Sequence, residues 1–388
     1  MNLGEYPRQF WLLCLGSFFF FGSFNMVIPE LPAMLERMGG GEYKGLIVSL
    51  FTLTAMLSRP FSGRLADTIG RVPVMILGSV VCLICSFIYP MIASVSAFLW
   101  LRFFHGFSTG FTPTGFTAYI ADIVPYHRRG EAMGLLSTFG TLGMAGSPAL
   151  GGWLEAEISL DAAFYASAGF ALLAVIIFLL MKETLHTRES FRAHHLKVGW
   201  SDLYEPNVLV PCVVMALTAY AFGVMLTLVP DLSDSLGQHN KGIVFTVFTV
   251  SSVAVRIIAG RLSDTYGRPA ILKVSTTLIA VSMLVTGLST ETWMMYVGGV
   301  LYGLANGINS PTLFAWATDL GQERYKGRAF ASLYIAMEFG IGVGALISGY
   351  VYADRVENFP LAFGTSGILA IAGLGYLMLK TKGREVRH

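Results

Sequence analysis

The chain has 388 residues, of which 54% are hydrophobic and only 13% charged, with a formal net charge of +2. Soluble domains carry about 25% charged residues, so both an ordinary soluble enzyme and a disordered chain are excluded. So small a net charge also argues against a nucleic-acid binder, which needs a strong positive field.

A helix that crosses a bilayer needs about 20 apolar residues, and runs of that size recur along the sequence. Broken at charged or turn-rich stretches, they predict spans near 9–36, 43–66, 73–93, 96–124, 131–154 and 161–182. Six more follow near 206–230, 241–263, 270–289, 292–320, 327–353 and 358–380. The fold class is all-α and polytopic. The first run, Phe10 to Leu35, is too long for a signal-peptide core and reads as a span. The one long polar segment, 183–205, reads as a cytoplasmic linker between an N-terminal bundle, 1–182, and a C-terminal bundle, 206–388. Its His194 and His195 read as connector residues rather than metal ligands. Cys14, Cys82, Cys85 and Cys212 all lie in apolar runs, so the Cys82-x-x-Cys85 spacing reads as helix packing, not redox or zinc chemistry.

Lysine and arginine set the orientation. With the N-terminus inside, Arg64, Arg71, Arg128, Arg129, Lys182, Arg261, Arg268, Lys326 and Arg328 fall at cytoplasmic ends. The outer loops receive Arg37, Lys44, Lys241 and Arg355. Both termini are expected in the cytoplasm, with the chain integral to the plasma membrane.

The halves repeat each other. Arg59-x3-Gly63-Arg64-Leu65-x-Asp67-Thr68-x-Gly70-Arg71 returns as Arg256-x3-Gly260-Arg261-Leu262-x-Asp264-Thr265-x-Gly267-Arg268. The offset is 197, the difference between Gly63 and Gly260. Asp122 and Gly130 return as Asp319 and Gly327 at the same offset. Parallel repeats of this kind place a substrate site between two bundles near the midplane, reached by alternating access.

On these residues the sequence resembles the major facilitator superfamily over essentially its whole length. The loop after span two matches that family's signature at Gly63, Leu65, Asp67, Gly70 and Arg71, and Asp67 can pair with Arg71 or Arg128 or sit at a helix N-terminus. The resemblance implies a gating latch there, repeated at Gly260, Asp264, Gly267 and Arg268. Thr68 and Val72 stand where basic residues are usual, which implies a weaker latch. Span five resembles the motif of the drug:proton antiporter branch at Gly134, Gly143, Ser147, Pro148, Gly151 and Gly152, departing only by Ser147 for glycine. The resemblance implies two pseudo-symmetric six-helix bundles around a central cavity and implies efflux. The bare physics of that stretch is a small-residue face for close helix approach, with a bend at Pro148.

Ionisable groups inside spans each cost about 2.5–3.5 kcal/mol, so each is expected to face a cavity or a partner. Glu30, Arg59, Arg102, His105, Arg256 and Glu338 are such groups. Arg59 and Arg256 are repeat-related and read as structural. Arg102 has no charged counterpart, and it begins a stripe with His105, Thr109 and Thr112 near one helical face. In the family resembled, an arginine followed four residues later by glycine, here Arg102 and Gly106, is linked to proton coupling. His105 is either a titrating group or a buried, hydrogen-bonded one. Glu30 lies in Pro29-Glu30-Leu31-Pro32, where prolines disrupt the helix; it either meets Arg102 or is solvated at the outer mouth. Glu338, among glycines, reads as the deeper acid. Tyr302, Asn306 and Asn309 offer polar contacts in span ten. Most of the many phenylalanines of the first half read as facing lipid or neighbouring helices, and those on inner faces suit a lipophilic or aromatic substrate.

The expected function is secondary active transport, as proton-coupled efflux of small, partly lipophilic molecules. A transporter of one specific metabolite, importer or uniporter, is the alternative, and a non-transporting sensor the second alternative. Expected partners are the substrate, protons and the bilayer. No cofactor, metal, enzyme activity or nucleic acid is expected, and the working unit is expected to be a monomer.

Overall fold

In a computed structural model the described residues are 6–125, 128–185, 187–192, 205–321 and 326–381. The side chains at 129–131, 257, 260, 261 and 326–328 lie outside the description, and so do His194, His195 and most of the predicted linker. The described residues are helical through most of each predicted span. In the first half these helices are α1 (Arg8–Val27), α2 (Leu31–Arg37), α3 (Lys44–Thr68), α4 (Arg71–Ile88), α5 (Val95–His105), α6 (Phe107–Ile123), α7 (Arg129–Glu157) and α8 (Leu160–Leu179). In the second half they are α9 (Leu209–Ser235), α10 (Gly242–Tyr266), α11 (Arg268–Gly287), α12 (Thr292–Leu320), α13 (Lys326–Tyr352) and α14 (Phe359–Thr381).

Local chemistry sets the breaks. The two prolines of span one interrupt it as a 3-10 turn, Ile28–Glu30, between α1 and α2. Span four breaks at Gly106 between α5 and α6. Ser94 and Ser159 cap α5 and α8 by accepting the N–H groups of Ala97 and Ala162. The tight reversals from α3 to α4 and from α10 to α11 turn on Gly70 (φ 136°) and Gly267 (φ 84°), a backbone region that side chains disfavour. These are the same position of the repeat.

Contacts divide the chain into one unit of Met1–Glu30 with Leu53–Asp202 and another of Leu31–Thr52 with Leu203–His388. The segment Leu31–Thr52, which belongs to the first half by sequence, thus packs in the second unit. Within the first unit α1 packs on α7 and α8, and α4 on α6 and α8. Their repeat partners follow suit in the second unit: α9 packs on α13 and α14, and α11 on α12 and α14. Large apolar side chains such as Ile84, Trp100, Trp153, Leu179, Leu284 and Ile368 stay exposed, as lipid-facing helices require. Among the described residues eight helical segments are long and apolar enough to cross a membrane. The predicted spans at α5–α6, α7, α10 and α12 fall outside that group; α5 and α6 are each short because span four breaks at Gly106.

Candidate functional site

In the first unit Arg102 and His105 are buried together at the end of α5. The Arg102 guanidinium donates to the Tyr89 hydroxyl at 3.2 Å and lies 3.4 Å from His105 Nδ1. Tyr89 Oη is also 3.4 Å from Nδ1, while His105 Nε2 is 3.3 Å from Cys82 Sγ. A guanidinium only donates, so the geometry makes Nδ1 the acceptor and Nε2–H the donor, a neutral imidazole. Cys82 continues the chain to Ser23 at 3.3 Å, and Ser23 and Ser167 exchange hydroxyl-to-carbonyl bonds of 2.8 Å. Ser86 meets Ser167 at 3.0 Å. Elements α1, α4, α5 and α8 therefore share one dry polar network. Sequence reasoning found Arg102 and His105 but missed Tyr89, Ser23 and Ser167.

The rest of the predicted stripe turns to the backbone. Thr109 donates to the Gly106 carbonyl and Thr112 to the Met75 carbonyl of α4. Thr112 also packs where a side chain at Gly78 would stand. Glu30 is buried, 2% exposed, and so is not solvated in this structure. Phenylalanines fill the first unit: Phe20, Phe21 and Phe178 all meet Phe116 within about 6.3 Å of ring centre.

The second unit holds an ion cluster of which the sequence reading noted only Lys44, as an outer-loop charge. Lys44 opens α3 and is buried, 3% exposed. Its ammonium sits 2.8 Å from Asp231, 2.7 Å from Asp354 and 3.2 Å from Glu36. Asp231 is buried too, whereas Asp354 and Glu36 reach solvent. A repeat signal points here: Gly22, Pro29 and Glu30 match Gly223, Pro230 and Asp231 at an offset of 201, the difference between Pro29 and Pro230. Lys44-Gly45 matches Lys241-Gly242 at the other offset, 197, and Lys241 pairs with Asp234 at 2.7 Å. In span ten Asn309 accepts from Ser275 at 3.1 Å and donates to Thr218 at 2.9 Å, so it ties three helices together. Tyr302 is buried against Phe222 and Phe248. Asn306 is half-buried, and its amide makes no hydrogen bond with the described residues. Glu338 is buried in α13.

At the repeated loops each arginine bridges two carboxylates. Arg71 Nε donates to Asp122 at 3.1 Å and Nη1 to Asp67 at 3.0 Å. Arg268 Nε donates to Asp319 at 3.0 Å and Nη1 to Asp264. The two separate repeat matches are thus two halves of one cluster, and Arg71, rather than a helix N-terminus, receives Asp67. Arg128 stacks over Tyr6, 4.6 Å from its ring centre. Among the described residues the first unit alone adds a cap: Glu183 accepts the N–H groups of Arg71 and Val72 at 3.0 and 2.9 Å. Asp122 also accepts from Thr184 at 2.6 Å and is 28% exposed, against 72% for Asp67. Asp67→Asn is therefore expected to cost at most about 1 kcal/mol of stability while lowering transport. Asp122→Ala should cost about 1.5–3 kcal/mol, read as the larger fall in detergent melting temperature. The opposite ranking would contradict the cluster.

The span-five residues divide by surroundings. A Cβ at Gly143 would lie 2.2 Å from the Phe18 carbonyl oxygen, and one at Gly151 would lie 2.1 Å from that of Met26. These are close approaches of α7 to α1 that only glycine permits. Gly340 and Gly344 hold the same relation to α9. Gly63 and Gly134 meet open space, so packing does not require them. Helix α7 runs unbroken through Pro148, and Ser147 is buried beside it; Gly152 lies in the same buried stretch. Gly260 lies in α10, its surroundings outside the description. Among the described residues no group of three His, Cys, Asp or Glu could hold a metal ion.

Comparison with known proteins bears on all of this. Multidrug resistance protein 2 of Bacillus subtilis (strain 168) is 24% identical over 391 residues, spanning 97% of this chain and 96% of its own. The multi-drug resistance efflux pump PmrA of Streptococcus pneumoniae is 26% identical over 371 residues, 92% of each chain. Among solved structures, a peptide transporter POT in complex with sulfate superposes with a TM-score of 0.81 at 15% identity, covering 99% of this chain and 96% of that one. The human organic anion transporter MFSD10 (TETRAN) does so with a TM-score of 0.73 at 21% identity, covering 96% and 100%. The sequence profile described as Major Facilitator Superfamily matches residues 13–239 and 211–387. With the profile spanning both repeats and the same fold in those structures, the chain belongs to the Major Facilitator Superfamily.

Proposed function

We propose that this chain exports small, partly lipophilic molecules in exchange for protons, by alternating access of two bundles, 1–182 and 206–388, joined by the linker 183–205. The observation that carries the reading is the burial of Glu30, Asp231 and Glu338 inside membrane helices of a facilitator-family chain. A buried carboxylate is costly unless it is paired or protonated, and exchange between those two states would couple a proton to transport. Relatives spanning nearly the whole chain are named as multidrug resistance proteins, which supports efflux as the direction. The lysine and arginine distribution supports cytoplasmic termini in the plasma membrane. Arg102 and the neutral His105 are read as the positioning network beside the path, and Asn306 as the span-ten group open to substrate. Asp67, Asp122 and Arg71, with Asp264, Asp319 and Arg268, are read as the cytoplasmic latch.

The test separates coupling from binding. Glu338→Gln and Glu30→Gln proteins, reconstituted in liposomes, are compared for ligand affinity and for pH-driven uphill transport. Glu338→Gln is expected to keep affinity within about threefold while uphill transport is lost; Glu30→Gln should change affinity or its pH dependence. Undiminished uphill transport in the double variant would contradict the assignment of these acids.

A further inference from the structure

The second unit carries a cavity of about 270 Å³ at the end where α9 and α11 begin and α12 and α14 stop. Val210, Pro269, Trp316, Leu320 and Lys380 line it. Each has a repeat counterpart in the first unit: Val210 answers Gln9 at offset 201, and the others answer Val72, Tyr119, Ile123 and Glu183 at offset 197.

In the first unit that place is closed by internal hydrogen bonds. The Tyr119 hydroxyl lies 3.0 Å from Gln9 Oε1 and 2.7 Å from the Lys182 carbonyl oxygen. The Lys182 N–H donates to the same Gln9 oxygen at 3.1 Å, and Glu183 accepts the N–H groups of Arg71 and Val72. The second unit lacks the Gln9 and Glu183 side-chain acceptors, while Thr381 and Asn207 also line the cavity. Valine replaces the glutamine, tryptophan replaces the tyrosine, and lysine replaces the glutamate; Pro269 has no N–H to offer. Trp316 is buried, 7% exposed, and its indole N–H makes no hydrogen bond with the described residues. A cation and a donor thus line a space from which the acid has been taken away.

We infer that this cavity binds the phosphate of an anionic membrane phospholipid, with Lys380 supplying the charge and Trp316 the N–H. The phosphate takes the place of the Glu183 carboxylate. Lipid is the source that the surroundings favour. Leu209 and Leu379, next in sequence to the rim, are 48% and 76% exposed, so the adjoining surface is apolar and suited to acyl chains. Lys380 lies over the Tyr376 ring at 6.0 Å, and tryptophan, tyrosine and lysine together are the chemistry of the headgroup level. A basic pocket between helix ends at that level selects phosphate headgroups. Asn207, also on the rim, is committed to Glu205 at 3.0 Å and leaves the anion to the other two groups.

Native mass spectrometry of the full-length protein released from micelles tests this, with phosphatidylglycerol and phosphatidylcholine offered in competition. The wild type is expected to retain phosphatidylglycerol preferentially. Lys380→Gln should weaken that preference about fivefold, the effect of one lysine near a phosphate headgroup. Lys380→Glu, which rebuilds the first unit's acid, should abolish it, and Lys182→Gln at the matching end of the first unit should leave it unchanged. Trp316→Phe, which keeps the packing, should weaken it as well. An unaltered preference in both Lys380 variants and in Trp316→Phe overturns the site. Displacement of the lipid by millimolar glycerol 3-phosphate overturns the lipid as occupant, since free phosphate then suffices.

Discussion

Lys44→Ala is expected to destabilise the purified protein by about 3–5 kcal/mol, because it strands Asp231 as a buried charge. The ammonium is 3% exposed and Asp231 9%, so water cannot take over the role of either. Asp354 and Glu36 at 2.7 and 3.2 Å add two more negative charges that would then repel Asp231. The loss should appear as a fall in melting temperature in detergent and as poor recovery from membranes. Replacing both partners, Lys44→Met with Asp231→Leu, should restore most of the stability, since an apolar pair leaves nothing unpaired. The restored protein should still fail in uphill transport if Asp231 carries charge during the cycle. A Lys44→Ala protein as stable as the wild type would mean that the cluster is solvated and idle.

Arg102→Ala should be the most damaging change in the first unit. It removes the donor that meets Tyr89 at 3.2 Å and His105 at 3.4 Å, and it leaves a cavity in a network already cut off from water. Losing a buried hydrogen-bond donor costs about 1–3 kcal/mol. With the guanidinium gone, only the Tyr89 hydroxyl of this pair still faces Nδ1, at 3.4 Å. The loss should appear as a fall in melting temperature in detergent and as weaker binding of a lipophilic cation. Arg102→Lys keeps a charge but presents a point donor in place of a fork, so it should fall between the two. An Arg102→Ala protein as stable as the wild type would contradict the network that the geometry shows.

The helices were legible because a membrane span is written in length and hydropathy, and the repeat was legible wherever its offset stayed constant. The outer ends were harder. Between spans one and seven the offset grows from 197 to 201, about one helical turn, so Glu30 and Asp231 do not align with the cytoplasmic motif. Lys44, counted as an outer-loop charge, is a buried helix-starting residue, which position relative to the bilayer alone does not reveal. Asp122 was visible as a repeat match, but its partner was not, because the bond to Arg71 joins residues 51 apart. Tyr89, Ser23 and Ser167 left no sequence signal at all; small polar side chains in apolar spans look alike whether they face a network or the backbone. Thr109 and Thr112, read as a polar stripe from their helical spacing to Arg102, donate to backbone carbonyls, and Thr112 also lies 3.4 Å from the Ser79 hydroxyl.

Proton-driven export is the central claim, and ethidium transport into liposomes tests it most directly. Ethidium is permanently charged, so a pH gradient alone does not trap it, and valinomycin with equal potassium on both sides removes any membrane potential. With the lumen acidic, the purified wild-type protein is expected to concentrate ethidium inside, and nigericin should release it. Ethidium that merely equilibrates, at the same level with and without the gradient, would contradict proton coupling and leave a facilitator.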